Sequence, residues 1–164
     1  MKNRMNRILL GMVSIAMAGS LGMPMAHGQE KTEMGGWEQG SAYNKLYVAS
    51  ERDRIKGVVV DIKEIVPLPG MSPGVAMVVR DRDDDVITVH VGPRWFIDPE
   101  NMGIRKDDAV TVKGVWAEIN EEDVFIASKI KKGEYAEYKV RLTKDGTPFW
   151  TMSPEERAKE QTSQ

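Results

Sequence analysis

Five residues concentrate the chemistry that this sequence offers: Arg80, Thr88, His90, Arg94 and Trp95. An imidazole titrates near neutrality and can ligate a metal, and His90 stands just before a Gly92-Pro93 chain reversal. Strict alternation along two neighbouring strands puts Arg80, Thr88 and His90 on one outward face, which makes them a candidate recognition patch. Two readings of His90 stay open: a strand histidine hydrogen-bonded to a neighbouring element, or a ligand for a metal or partner. Arg94 and Trp95 follow the reversal. Trp95 and Phe96 either plug one end of a β structure with apolar surface or, if exposed, stack on a base, sugar or haem edge.

The carboxylates are less specific. Asp81, Asp83 and Asp85 have the D-x-D-x-D spacing that opens a calcium loop. Such a loop needs glycine at its sixth and glutamate at its twelfth position, where this chain has Val86 and Gly92, so a solvated turn is expected. Glu118, Glu121, Glu122 and Asp123 gather at a hairpin tip. They repel phosphate and suit a cation, a cationic partner surface or water.

Other chemistries are excluded by the residue alphabet. With 0 cysteines there is no disulfide, zinc-thiolate site, iron-sulfur ligation, thiol nucleophile or Cys-x-x-Cys-His haem attachment. The 2 histidines, His27 and His90, cannot build a multi-histidine metal centre. Met71, Met77, Met102 and Met152 are dispersed, so no methionine-rich copper site arises. Neither a Gly-x-Ser-x-Gly elbow nor a phosphate-binding loop is present. No catalytic residue, metal or cofactor is therefore assigned.

These side chains need a scaffold, and the 164 residues, 41% hydrophobic and 29% charged, suffice for one globular domain. Residues 1–28 read as a cleaved signal peptide: Lys2, Arg4 and Arg7, an interrupted apolar stretch, then Ala26 and Gly28 at the small-residue positions before Gln29. Cleavage leaves no stable membrane anchor. It removes three basic residues and no acidic ones, so the mature chain is acidic and lacks the net attraction to phosphate backbones that nucleic-acid binding uses. Residues 29–54 read as an arm and linker, with Trp37, Tyr43, Leu46 and Tyr47 available to pack across the domain.

Between residues 55 and 150, β-branched runs bounded by turn residues predict five or six strands: 55–66, 75–81, 86–91, 109–119, 124–131 and a segment over 135–143. Asp98-Pro99-Glu100 suggests a one-turn helix between the third and fourth strands, ended by Gly103. Residues 151–164 form a polar tail in which Ser153 and Glu156 make a capping box for a short helix. Three strands, a short helix and a hairpin of two more is the order of an OB-like Greek-key barrel, and this mainly β fold is expected. An immunoglobulin-like sandwich lacks its Cys-Trp-Cys framework here.

The stretch Val89-His90-Val91-Gly92-Pro93-Arg94-Trp95-Phe96 resembles the V-H-x-G-P-x-W-aromatic signature of secreted bacterial OB-like proteins that include the magnetosome MamS/MamX domain. The resemblance extends through Tyr43 to Tyr47, Gly57 to Val60, Asp107 to Gly114, Ile126-Ala127 and Gly146 to Trp150, covering residues 40–150. It implies the fold, secretion and an association with redox or metal-handling envelope systems. Haem-binding members of that grouping use Cys-x-x-Cys-His, which this chain lacks. The expected function is a non-catalytic periplasmic binding module that engages an envelope protein or positions an envelope assembly. The alternatives are a metal or redox accessory using His90 with carboxylates, and an oligonucleotide- or oligosaccharide-binding module, with nucleic acid disfavoured by charge.

Overall fold

Alternating β-branched side chains give six strands in the computed structural model, which describes residues 33–162; the signal peptide read over 1–28 lies outside them. The strands are β1 (Arg52–Ile65), β2 (Gly74–Arg80), β3 (Val86–Pro93), β4 (Ala109–Ile119), β5 (Glu122–Lys132) and β6 (Ala136–Lys139). They form one sheet in the order β3-β2-β1-β4-β5-β6, with antiparallel neighbours. A parallel pairing of β3 with β5 links Thr88, Val89 and His90 to Val124, Phe125 and Ile126. The pairings thus run in a closed circuit, β1-β2-β3-β5-β4 and back to β1. One side of β5 is divided between two partners, its first half pairing with β3 and its second half with β6.

The inward positions of these strands make the core: Val59, Met77, Val79, Val89, Val112, Val115, Phe125 and Ile130 are fully buried. Each such side chain contributes about 1.5–3 kcal/mol when taken from water. The β4-β5 hairpin turns on Asn120 and Glu121, whose φ values of 54° and 65° give the two-residue loop that matches strand twist. The loop is therefore two residues shorter than the four-residue tip read from the sequence, and β5 begins at Glu122.

The connection from β3 to β4 carries turns in place of the expected helix. The Asn101 amide reaches the Asp98 carbonyl at 3.2 Å, and Asp98 Oδ1 accepts from the Glu100 amide at 3.0 Å. Asp98 therefore closes a local turn, and so short a segment does not repay the cost of helix nucleation. β6 is also shorter than the 135–143 segment. The Val140 and Arg141 amides both donate to the Ser128 carbonyl, which breaks the ladder, and Leu142 then turns back on Thr147.

The capping box forms. The Ser153 amide donates to Glu156 Oε2 at 2.8 Å and the Glu156 amide to Ser153 Oγ at 3.2 Å, starting helix α1 (Pro154–Thr162), which buries none of its residues. Among the described residues no helix is long and apolar enough to cross a membrane. The arm packs as a structural element: Trp37, Tyr43 and Tyr47 are buried, Tyr43 and Tyr47 flanking a short 3-10 turn at Asn44–Leu46 that is followed by another at Ala49–Glu51. Trp37 lies so close over Gly74 that any Cβ there would collide with its ring.

Candidate functional site

His90 faces outward from β3, opposite Ala76 of β2, yet it is only 5% exposed because the arm covers this part of the face. The Tyr43 hydroxyl lies 3.1 Å from His90 Nδ1, and the two rings stack with centroids 5.9 Å apart. Burial pushes the imidazole pKa down to about 4, and the charges of Lys63 and Arg141 push in the same direction. The ring is neutral at physiological pH, sealed and already engaged. Beneath the same arm, Trp37 meets Tyr43 and Trp150 edge to face at 4.8 and 5.8 Å. Arg141, also buried, stands over Trp150, Tyr47 and Tyr43 at 4.7, 5.5 and 5.9 Å and donates to Asn44 Oδ1 at 2.6 Å. Burial pulls the guanidinium pKa below its usual value, opposed by Tyr43 and Tyr47.

The outward trio read from the sequence is thereby divided. Arg80 is exposed at one end of β2, opposite Val86; Thr88, opposite Val78, is half-buried; His90 is under the arm. The three share a face but present no common surface. The sequence signal for this was the aromatic string of the arm, which had no visible docking partner.

Arg94 and Trp95 are both exposed, Trp95 to 52%. Of the two readings of Trp95, core plug or exposed ring, the plug is not what forms. Past Pro93, the Phe96 and Ile97 amides both donate to the Pro93 carbonyl, and the resulting turn sends Ile97 inward to full burial while Trp95 points away. Met102 and Ile104 join Ile97 in the plugging role. Phe96 is half-buried, touching Trp95 at 6.3 Å and Trp150 at 6.0 Å, with the Arg157 guanidinium 5.5 Å from its ring.

The acidic clusters are spent locally or solvated. Asp81 Oδ1 accepts from the amides of Asp83 and Asp85, at 2.8 and 3.0 Å, and so organises its own turn. Glu118, Glu121, Glu122 and Asp123 are exposed. Among the described residues no group of three or more histidine and carboxylate side chains is placed to hold a metal ion.

Residues not singled out in the sequence form a second arrangement. Arg54 of β1 pairs with Lys113 of β4, Lys113 with Lys129 of β5, and Lys129 with Lys139 of β6. Directly paired residues share a face, so four cations stand side by side across four strands. In the next row Lys131 pairs with Glu137, whose carboxylate lies 2.9 Å from Lys129 Nζ, 3.7 Å from Lys139 Nζ and 3.9 Å from Lys131 Nζ. Burial alone would raise the Glu137 pKa, but the Lys129 hydrogen bond and the three ammonium charges hold it below the usual value. Beside this row runs a groove of about 780 Å³, walled by Phe96, Tyr138, Phe149 and Arg157. The signal for this arrangement was a lysine or arginine at outward strand positions, which becomes a ladder only once the register is known.

Compared with known proteins, residues 51–136, just over half of the chain, match the family model described as the MamS/MamX magnetosome protein family. No curated protein matches the chain.

Proposed function

The chain belongs to the MamS/MamX magnetosome protein family, and from that premise we propose that it is a periplasmic, non-catalytic binding module that engages a protein partner of the cell envelope. The signal features of residues 1–28 support export. The circuit β1-β2-β3-β5-β4-β1 supports an OB-like Greek-key barrel as its frame, because that order brings the third and fifth strands together to close the wall. The fold sets no function by itself.

The observation that carries the binding reading is Trp95, 52% exposed beside exposed Arg94 on a turn anchored by fully buried Ile97. A tryptophan held out on a rigid turn forgoes the burial its ring could have gained, and tryptophan and arginine are the side chains that anchor protein interfaces. Arg80, paired with Val86, stands at the opposite end of the β2-β3 pair from the Gly74-Pro93 end that carries this turn, and lies outside the surface. The metal or redox alternative is not favoured: His90 Nδ1 is taken by Tyr43, and reaching the ring requires the arm to leave.

The test is recovery of the mature chain, tagged at its C-terminus, from the envelope of its native host, with co-purifying proteins identified by mass spectrometry. One stoichiometric partner, lost with Trp95→Ala combined with Arg94→Ala, is the expected result. A chain that emerges without a partner, or a partner indifferent to both substitutions, contradicts the reading.

A further inference from the structure

We infer that the ladder Arg54-Lys113-Lys129-Lys139, with the groove beside it, is a docking surface for an extended, carboxylate-rich segment of a protein partner. This deepens the binding-module reading and rests on it. Like charges placed directly opposite one another in a sheet oppose folding, so four in a row are held against their own repulsion. Among the described residues neither Arg54 nor Lys113 makes an ion pair, and one carboxylate, that of Glu137, serves Lys129, Lys131 and Lys139 together. The excess is local, since the chain as a whole carries a net charge of −2.

Glu137 shows which chemistry the site holds: a carboxylate lies among three ammonium groups, and cations remain unmatched on the Arg54 side. Strands lie about 4.8 Å apart, so the ladder spans about 14 Å. Side chains on one face of an extended segment recur about every 6.8 Å, so three acidic residues at alternate positions match the row. Beyond Arg54 the footprint is bounded by the acidic turn of Asp81, Asp83 and Asp85, which lines the neighbouring hollow. At the other end are aromatic walls and Tyr135, 93% exposed. The Lys129 and Lys139 side chains are sunk to 21% and 18% exposure. A flat lipid surface cannot reach ammonium groups at that depth, whereas a single extended segment can, and away from the ladder the negative chain repels a long polyanion.

The probe is a fluorescein-labelled oligoglutamate peptide titrated with the mature chain in low-salt buffer and followed by anisotropy. The expected result is saturable binding that weakens with added salt and falls at least tenfold in Arg54→Glu/Lys113→Glu, while Lys45→Glu, a single charge reversal on the exposed arm, leaves it unaltered. Urea unfolding of the double variant controls for folding: positions 54 and 113 stay like-charged, the 113-129 pair turns attractive, and the variant is expected to be no less stable than the parent. Equal loss with Lys45→Glu, retention by the double variant, or tighter binding of phosphatidylglycerol vesicles or single-stranded DNA than of the peptide would overturn the proposal. The envelope partner separates this failure from that of the broader reading. A partner held equally by parent and double variant removes the ladder assignment alone, whereas no partner for either contradicts the module itself.

Discussion

Two regions of this molecule gather positive charge and treat it in opposite ways. Under the arm, one guanidinium, Arg141, is buried with no ion pair among the described residues; three aromatic faces, the Asn44 side chain and the Gly146 carbonyl surround it. Across β1, β4, β5 and β6, four cations stand in a row, with the Glu137 carboxylate beside them among the described residues. The first arrangement is sealed: its rings pack on one another, His90 meets Tyr43, and Arg141 is held by Asn44 and Gly146, with Arg141 Nε and the Tyr47 hydroxyl buried without a hydrogen-bond partner. In the second, among the described residues, Arg54 and Lys113 make no ion pair. Polar groups consumed internally hold a fold together, and groups left in excess on a rigid sheet are available for recognition.

The closed region breaks most easily. Trp37→Ala removes the ring that covers Gly74 and packs on Tyr43 and Trp150, and about 3–5 kcal/mol of stability is expected to go with it. Urea unfolding measures the loss, and a change below 1 kcal/mol would mean that the arm is not integral to the fold.

His90 gives the same region a pH signature. Its folded pKa of about 4 lies below the unfolded value of 6.5, so between these limits the unfolded chain binds the extra proton. The contribution is complete above pH 6.5 and is lost as pH falls toward 4, amounting to roughly 3 kcal/mol. Subtracting the stability-versus-pH curve of His90→Gln from that of the parent isolates this slope. Parallel curves would show that His90 is not sealed.

The strand elements were legible because β-branched alternation and bounding prolines, glycines and aspartates are local signals. β4 falls at the predicted limits, and the Ser153-Glu156 box starts its helix. The sites were less legible because they depend on pairings far apart in sequence. The same alternation that correctly turned His90 away from the core said nothing of Tyr43 arriving from 47 residues upstream to bury it. The ring of Trp95 fits a core plug or an exposed contact equally in sequence, and the paired amides on the Pro93 carbonyl decide its direction. The ladder needs three strand registers at once, including the irregularity between Lys113 and Gly114, and no local pattern encodes them.

Smaller effects sharpen the contrast at the open region. Helix α1 lies at the edge of the ladder, where Lys139 Nζ donates to the Glu160 carbonyl at 2.9 Å. Ser153→Ala removes its cap and is expected to cost about 1 kcal/mol. That cost should appear as faster amide exchange at Arg157 to Glu160 with the global unfolding midpoint unchanged; an unchanged exchange rate would show that the cap does not hold the helix.

The contrast between the regions turns most directly on the urea midpoint of Lys113→Glu at low ionic strength. Placing a carboxylate between Arg54 and Lys129 converts two repulsive cross-strand pairs into attractive ones, so stability should rise by about 0.2–1 kcal/mol, and the gain should shrink in about 1 M salt. A protein that gains stability by losing this lysine holds its charge there at a cost to the fold, as a binding surface does. A fall in the midpoint at low salt would show instead that the ladder is part of what holds the sheet together, and would contradict the distinction drawn between the two regions.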